Sequence, residues 1–229
     1  MDLKREAAEK AAEQVSDGML LGLGTGTTAA RFIEVLGERV QGGLRVSCIA
    51  TSVASERQAR ALGIEVYDRA DRRLDLTVDG ADEIDPQLNL VKGLGGALLR
   101  EKIVAAASAR MLVIATEDKL VAHLGERAPL PVEILPLLWE RTAEAIAQLG
   151  LTPNLRVVAG AEDTDQAPPF ITDNGNLIVD CNLNGNLDPG QLAADLDAVP
   201  GVIGHGLFVQ MASQAVIAGA GGVRLLDPR

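Results

Sequence analysis

Apolar residues recur along the first half of the chain in two alternating rhythms. Leu3, Ala7, Ala11 and Val15 keep the spacing of one helical face, and Asp17-Gly18 closes that helix. The apolar run 19–24, MLLGLG, predicts a buried strand that ends in a glycine turn. A helix follows with Phe32, Ile33 and Leu36 facing inward, then a strand near 45–50. Ser52 is placed to cap another helix, which Gly63 ends. Strands are predicted at 64–67, 74–78 and 88–91, a helix at about 97–107 and a strand at 111–116. Strands alternating with helices make a mainly parallel, Rossmann-like sheet covered on both faces.

The rhythm changes near Pro129. PLPVEIL (129–135) predicts a strand and 137–149 a helix ended by Gly150. Strands at 155–158 and 176–181 flank a polar stretch with a turn at Asp173-Asn174-Gly175. A helix at 189–199 and a strand at 201–209 complete the order βαββαβ, that of a ferredoxin-like unit. The segment 215–226 is expected to return to the first sheet. The predicted fold class is therefore α/β: a mainly parallel sheet domain (1–128 with 206–229) carrying a smaller inserted α+β lid domain (129–205). The acid- and proline-rich stretch 159–170 reads as mobile surface.

Composition narrows the function. Much of the 47% hydrophobic content is alanine, and Phe, Tyr and Trp number only three, one and one, so the core is expected to be aliphatic. A formal charge of −11 argues against nucleic acid. It does not exclude a small anion, because a few local donors can dominate a cleft. Cys48 and Cys181 lie in separate apolar segments without CxxC spacing and read as buried and reduced. The charged N-terminus has no signal-peptide core, and no apolar run is long enough for a membrane span. The expectation is a soluble cytoplasmic protein.

The candidate chemistry concentrates between Asp79 and Lys102. In the helix near 97–107, Glu101 stands three residues from both Leu98 and Val104, which puts its carboxylate on the apolar stripe. A helix dipole favours an acid in the first turn, but a buried carboxylate is costly unless it is paired, hydrated or used. Asp79 and Asp82 follow an apolar strand, Lys92 follows LNLV, and Lys119 follows MLVIAT by three residues. Ligands of open α/β sheets bind at such strand ends. Upstream, GLGTGTTAA joins strand to helix, where backbone N–H groups and the hydroxyls of Thr25, Thr27 and Thr28 can meet an anion. This stretch also fits a dinucleotide fingerprint through Gly24, Gly26 and Ala29, but the second strand ends in Ala50-Thr51-Ser52, without the acid that holds a ribose. His123 and His205 have no ligand spacing, so neither metal nor cofactor is expected.

The motifs GLGTGTTA, ATS (50–52), DGADEID, KGLGGALLREKI, PLPVE (129–133) and ITDNGN (171–176) run in one order over nearly the whole chain. Together they resemble the ribose-5-phosphate isomerase A family. The resemblance implies interconversion of D-ribose 5-phosphate and D-ribulose 5-phosphate in the pentose phosphate pathway, without metal or nucleotide. It also implies assembly as homodimers or homotetramers. Carried over by motif, the general base falls on Glu101 and the substrate loop on Thr25, Gly26, Thr27 and Thr28. The acid stretch falls on Asp79, Gly80, Ala81 and Asp82, the lysine–glycine stretch on Lys92, Gly93, Leu94 and Gly95, and a further substrate lysine on Lys119. Chemically, Glu101 suits proton transfer through a cis-enediolate, Lys92 its oxyanion, and Asp79 and Asp82 the oxygen-bound protons. Family members often carry glycine where Leu94 stands, and a left-handed backbone there would strain leucine. The rival readings are an NADP-dependent reductase, using Ser52 and Arg57 at a 2′-phosphate, and a non-catalytic sugar-phosphate sensor. Neither has a use for Glu101.

Overall fold

The computed structural model describes residues 2–160, 167–183 and 188–228. Helix α1 (Leu3–Ala12) is capped by Asp2, whose side chain accepts from the Arg5 N–H, and it buries Ala7, Ala8, Ala11 and Ala12. Strand β1 (Leu20–Leu23) runs through Gly24–Gly26 into α2 (Thr27–Gln41), and Gly26 has a φ of 105° that favours glycine. Then come β2 (Ser47–Ala50), α3 (Val53–Ala61) and the short β3 (Glu65–Val66). The Ser52 side chain caps α3 as predicted, accepting from the Ser55 N–H. The chemistry-bearing stretch contributes β4 (Leu76–Asp79), β5 (Glu83–Ile84), β6 (Leu90–Val91), α4 (Leu98–Ala106) and β7 (Met111–Thr116).

The second unit contributes β8 (Leu130–Ile134), α5 (Trp139–Ala147), β9 (Leu151–Leu155), β10 (Leu177–Leu183), α6 (Pro189–Asp197) and β11 (Val202–His205). The chain closes with β12 (Leu207–Phe208), β13 (Gln214–Gly219) and β14 (Gly222–Leu226).

The large sheet has the order β14-β13-β7-β4-β1-β2-β3, parallel apart from the edge strand β14. The chain winds outward from β1 to β3, then returns to place β4 on the other side of β1. This makes a switch point between β1 and β4, where a crevice opens beyond their carboxyl ends. Aliphatic side chains fill both faces, with Phe32, Ile33 and Leu36 fully buried on one of them. The β8–β11 sheet has the order β11-β8-β10-β9, entirely antiparallel, with α5 and α6 as its helices. This is the predicted ferredoxin-like arrangement.

Three details differ from the sequence reading. The strand expected at 155–158 lies earlier, at Leu151–Leu155. Pro153 signals a break in a strand, but β9 is an edge strand, where proline is tolerated. The strand expected at 201–209 is two strands in different sheets, because the chain crosses from β11 to β12 at Gly206. A Cβ at Gly206 would collide with the Lys92 carbonyl, so this crossing needs glycine. Strand β6 leaves the parallel sheet and joins β5 and β12 in a small antiparallel sheet, with Leu88 just before it at a φ of 60°. Of the stretch expected to be mobile, 161–166 lies outside the described residues.

Candidate active site

The ends of β4 and β6 and the first turn of α4 converge on a buried charge cluster. Lys92 directly follows β6, and its Nζ stands 3.0 Å from Asp79 Oδ2 and 3.3 Å from Glu101 Oε2. It also donates to the Gly80 carbonyl at 2.6 Å and lies 5.4 Å from the centre of the Phe208 ring. The side chains of Asp79, Lys92 and Glu101 are 0%, 2% and 3% exposed. Glu101 sits among Leu98, Val104 and Ala105, as its place on the stripe requires.

Two carboxylates around one lysine cannot both be comfortable as anions. Burial is the largest influence on Glu101 and pushes its carboxyl up to about 8; Lys92 opposes this and Asp79 reinforces it. Burial likewise raises Asp79, against the pull of Lys92. Burial works against the Lys92 ammonium, but Asp79 and Glu101 outweigh it and hold the lysine above its ordinary range. Asp79 Oδ1 accepts from the Thr25 and Gly80 N–H groups at 3.1 and 2.7 Å. Asp79 thus ties the β1 loop to the lysine, and its buried position withdraws it from the cleft.

One cleft of about 130 Å³ is lined by every predicted site residue except Asp79 and Leu94, with Lys4 added. Asp82 lies on its wall, accepting from the Leu94 N–H at 2.9 Å. Thr27, Thr28, Lys4 and Lys119 gather at the N-terminus of α2, a setting suited to an anion. The Thr25 hydroxyl turns away, to Thr51 Oγ1 at 2.7 Å and Ser52 Oγ at 2.9 Å. The expected pair of hydroxyl-bearing strand ends therefore holds the loop together through its side chains. Leu94 is free of the anticipated strain, because the positive φ values of 105° and 81° fall on Gly93 and Gly96. A wider hollow of about 430 Å³ opens beside Gly18, Leu44 and Gly63, but its charged walls, Arg45 and Glu65, are exposed residues with no buried partner chemistry.

Several contributors escaped the sequence reading. Lys4 donates to Thr27 Oγ1 at 2.8 Å from the first turn of α1, and only the packing of α1 beside α2 brings it there. Glu83 accepts from the N–H groups of Gly125, Arg127 and Ala128 at 2.5, 2.6 and 2.8 Å, anchoring the connection into β8. The ITDNGN stretch fastens α4: Arg100 donates to Asn174 Oδ1 at 2.8 Å and to the Asp173 carbonyl at 2.9 Å. His205, read as isolated, is buried with its Nδ1 3.2 Å from Lys102 Nζ, which like Lys92 Nζ lies within about 5.4 Å of the Phe208 ring centre.

A buried carboxylate–lysine centre at the switch point of an α/β sheet, beside a helix N-terminus flanked by Lys4 and Lys119, is the kind of site that suits an enzyme moving protons on a small anionic substrate. The sequence model of Ribose 5-phosphate isomerase A (phosphoriboisomerase A) matches residues 47–222. The chain is 51% identical to ribose-5-phosphate isomerase A of Bradyrhizobium diazoefficiens over 99% of its own length and 96% of that relative, and equally to that of Gloeobacter violaceus. The solved ribose 5-phosphate isomerase A of Methanocaldococcus jannaschii superimposes with a TM-score of 0.92 at 36% identity, covering 99% of this chain and 98% of that one. A D-ribose-5-phosphate isomerase in complex with phospho-erythronic acid matches equally well, at 35% identity. The chain belongs to the ribose-5-phosphate isomerase A family.

Proposed function

We propose that this cleft interconverts D-ribose 5-phosphate and D-ribulose 5-phosphate through a cis-enediolate, and that the buried Asp79–Lys92–Glu101 cluster carries the chemistry. With the open-chain aldose bound, the Glu101 carboxylate removes the C2 proton as the C1 carbonyl oxygen becomes an oxyanion. The Lys92 ammonium stabilises that charge, fixed by the Gly80 carbonyl and Asp79 before the substrate arrives. Asp82, on the cleft wall, carries the proton from O2 to O1. Glu101 returns its proton to C1, completing the ketose with no atom gained or lost. Asp79 is assigned to holding Lys92, which its burial, the two hydrogen bonds to its Oδ1 and the ion pair of its Oδ2 with Lys92 support.

The phosphate is assigned to Thr27, Thr28 and the N-terminus of α2, with Lys4 and Lys119 as counter-charges. Lys4→Ala is expected to raise KM for ribose 5-phosphate by about tenfold or more, the size of one charge-assisted hydrogen bond, with little change in kcat. Equal weakening toward unphosphorylated ribose would move the phosphate elsewhere. We further propose that residues 1–128 with 206–229 carry the catalytic groups, that 129–205 brace them, and that the protein works in the cytoplasm as a homodimer or homotetramer. Among the described residues, no helix is long and apolar enough to cross a membrane.

The decisive test is turnover of ribose 5-phosphate in deuterated water containing EDTA. Enediolate chemistry is expected to persist and to wash solvent deuterium into the carbon that receives the proton, incompletely where one carboxylate returns the original. Activity lost to EDTA and restored by a divalent ion, with no deuterium in the product, would point to hydride transfer instead.

A further inference from the structure

Arg156 of the second unit reaches the catalytic loop. Arg156 lies just beyond β9, and its guanidinium is seated on Asp180 of β10, with Nε 2.8 Å from Oδ2 and Nη2 2.5 Å from Oδ1. The remaining edge of the fork leaves the unit. Arg156 Nη1 donates to the Gly93 carbonyl at 3.0 Å and to the Leu94 carbonyl at 3.2 Å. The Phe170 ring lies 5.8 Å from the guanidinium carbon and against Gly96, where a Cβ would collide with it. The arginine side chain is only 12% exposed, so this bidentate seat is well shielded from water.

The two carbonyls that Arg156 holds belong to the turn that follows Lys92. In a trans peptide the N–H points opposite to the carbonyl. Fixing the Gly93 carbonyl on the arginine therefore turns the Leu94 N–H the other way, and there it meets Asp82 at 2.9 Å. Fixing the Leu94 carbonyl does the same for the Gly95 N–H, on the side of the cleft that Gly95 lines. The Gly96 N–H closes this turn on the Gly93 carbonyl at 3.0 Å, but the flanking glycines at positive φ add little stiffness, and Arg156 clamps that carbonyl and the next one from outside.

We propose that Arg156 is a positioning residue for the isomerisation. It acts through the Gly93–Gly95 peptides to hold Asp82 at the oxygen-bound proton and to aim a backbone donor at the enediolate. The proposal rests on the isomerase reading of the cleft. It predicts a defect in the chemical step, because the turn holds Asp82, whereas the phosphate is assigned to Thr27, Thr28 and the N-terminus of α2.

The test compares Arg156→Met, which keeps the stem without the fork, Arg156→Lys, and Arg156→Ala with and without added guanidinium chloride at constant ionic strength. Misplaced groups of this kind lower kcat by about 10- to 100-fold. That loss is expected in Arg156→Met, with KM changed less than about threefold. Affinity for phospho-erythronic acid, whose planar carboxylate imitates the enediolate, should fall in step with kcat/KM while affinity for inorganic phosphate is kept. Millimolar guanidinium should restore part of kcat to Arg156→Ala, and Arg156→Lys should remain impaired because one ammonium cannot hold the Asp180 carboxylate and reach the two carbonyls at once. A thermal melt accompanies each variant. If kcat is unchanged in folded Arg156→Met, or if guanidinium restores stability without kcat, the residue only supports the fold and the proposal fails. A wild-type protein that does not turn over ribose 5-phosphate would instead remove the isomerase reading beneath it.

Discussion

Glu101→Gln lowers turnover by about 10²–10⁴-fold, the usual loss for a positioned general base, while substrate binding survives. The amide keeps the shape of the side chain among Leu98, Val104 and Ala105. It cannot accept the C2 proton. The same residue sets two pH dependences. Because burial pushes its carboxyl up to about 8, kcat/KM of the wild type is expected to rise with pH toward that value as the base ionises. Stability runs the other way. The folded form holds a proton that the unfolded chain releases near the model-compound value of 4.5, so folding stability falls as pH rises from 4.5 through 8. The Gln variant lacks this proton. Its melting temperature should gain on that of the wild type between about pH 4.5 and about pH 8. Near-normal turnover by a folded Glu101→Gln protein would remove Glu101 from the mechanism, and parallel melting curves would show that its carboxyl ionises normally.

What the sequence made legible follows from the range of the interactions involved. Glu101 could be found because a helical stripe is a local pattern, and three- and four-residue spacings alone place its carboxylate on the buried face. The parallel sheet and the βαββαβ unit were legible for the same reason, since each element carries its own period and its own stops. Groups that work through distant partners were not. Lys4 reads as one more charge on an amphipathic helix until α1 packs beside α2. Arg156 sits in a segment read as an ordinary strand, and nothing within ten residues of it announces Gly93 or Asp180. The start of β9 was not legible, because a strand through Pro153 is tolerated at a sheet edge, and edge or centre is a property of the sheet. The crossing at Gly206 was hidden for a related reason: one apolar run feeds two sheets, and the close approach of the Lys92 carbonyl that demands glycine comes from far away in the chain. The division proposed between Asp79 and Asp82 rests on burial too, because two acids three residues apart in one motif differ only in which is enclosed.

Lys92→Met should be the most damaging single change, since it strikes activity and fold together. Loss of a fixed donor to a developing oxyanion reduces kcat by about 10²–10³-fold. The structural effect has a separate cause. Asp79 and Glu101 are buried on either side of the Lys92 ammonium, and breaking a buried ion pair by removing one partner costs about 3–5 kcal/mol. Lys92 pulls both carboxyls downward against burial, so its removal lets both rise further and drives them toward the protonated form. The deficit of Lys92→Met should therefore be smallest in acid, where the two carboxyls are neutral, and should grow with pH. Denaturant titrations of the variant and the wild type at an acidic and an alkaline pH measure this directly. Adding Asp79→Asn separates the two effects, because it removes one of the stranded charges. The double variant is expected to recover much of the lost stability at alkaline pH and none of the lost turnover. Recovery of turnover along with stability would mean that Lys92 serves the fold alone, and that the oxyanion is held by another group.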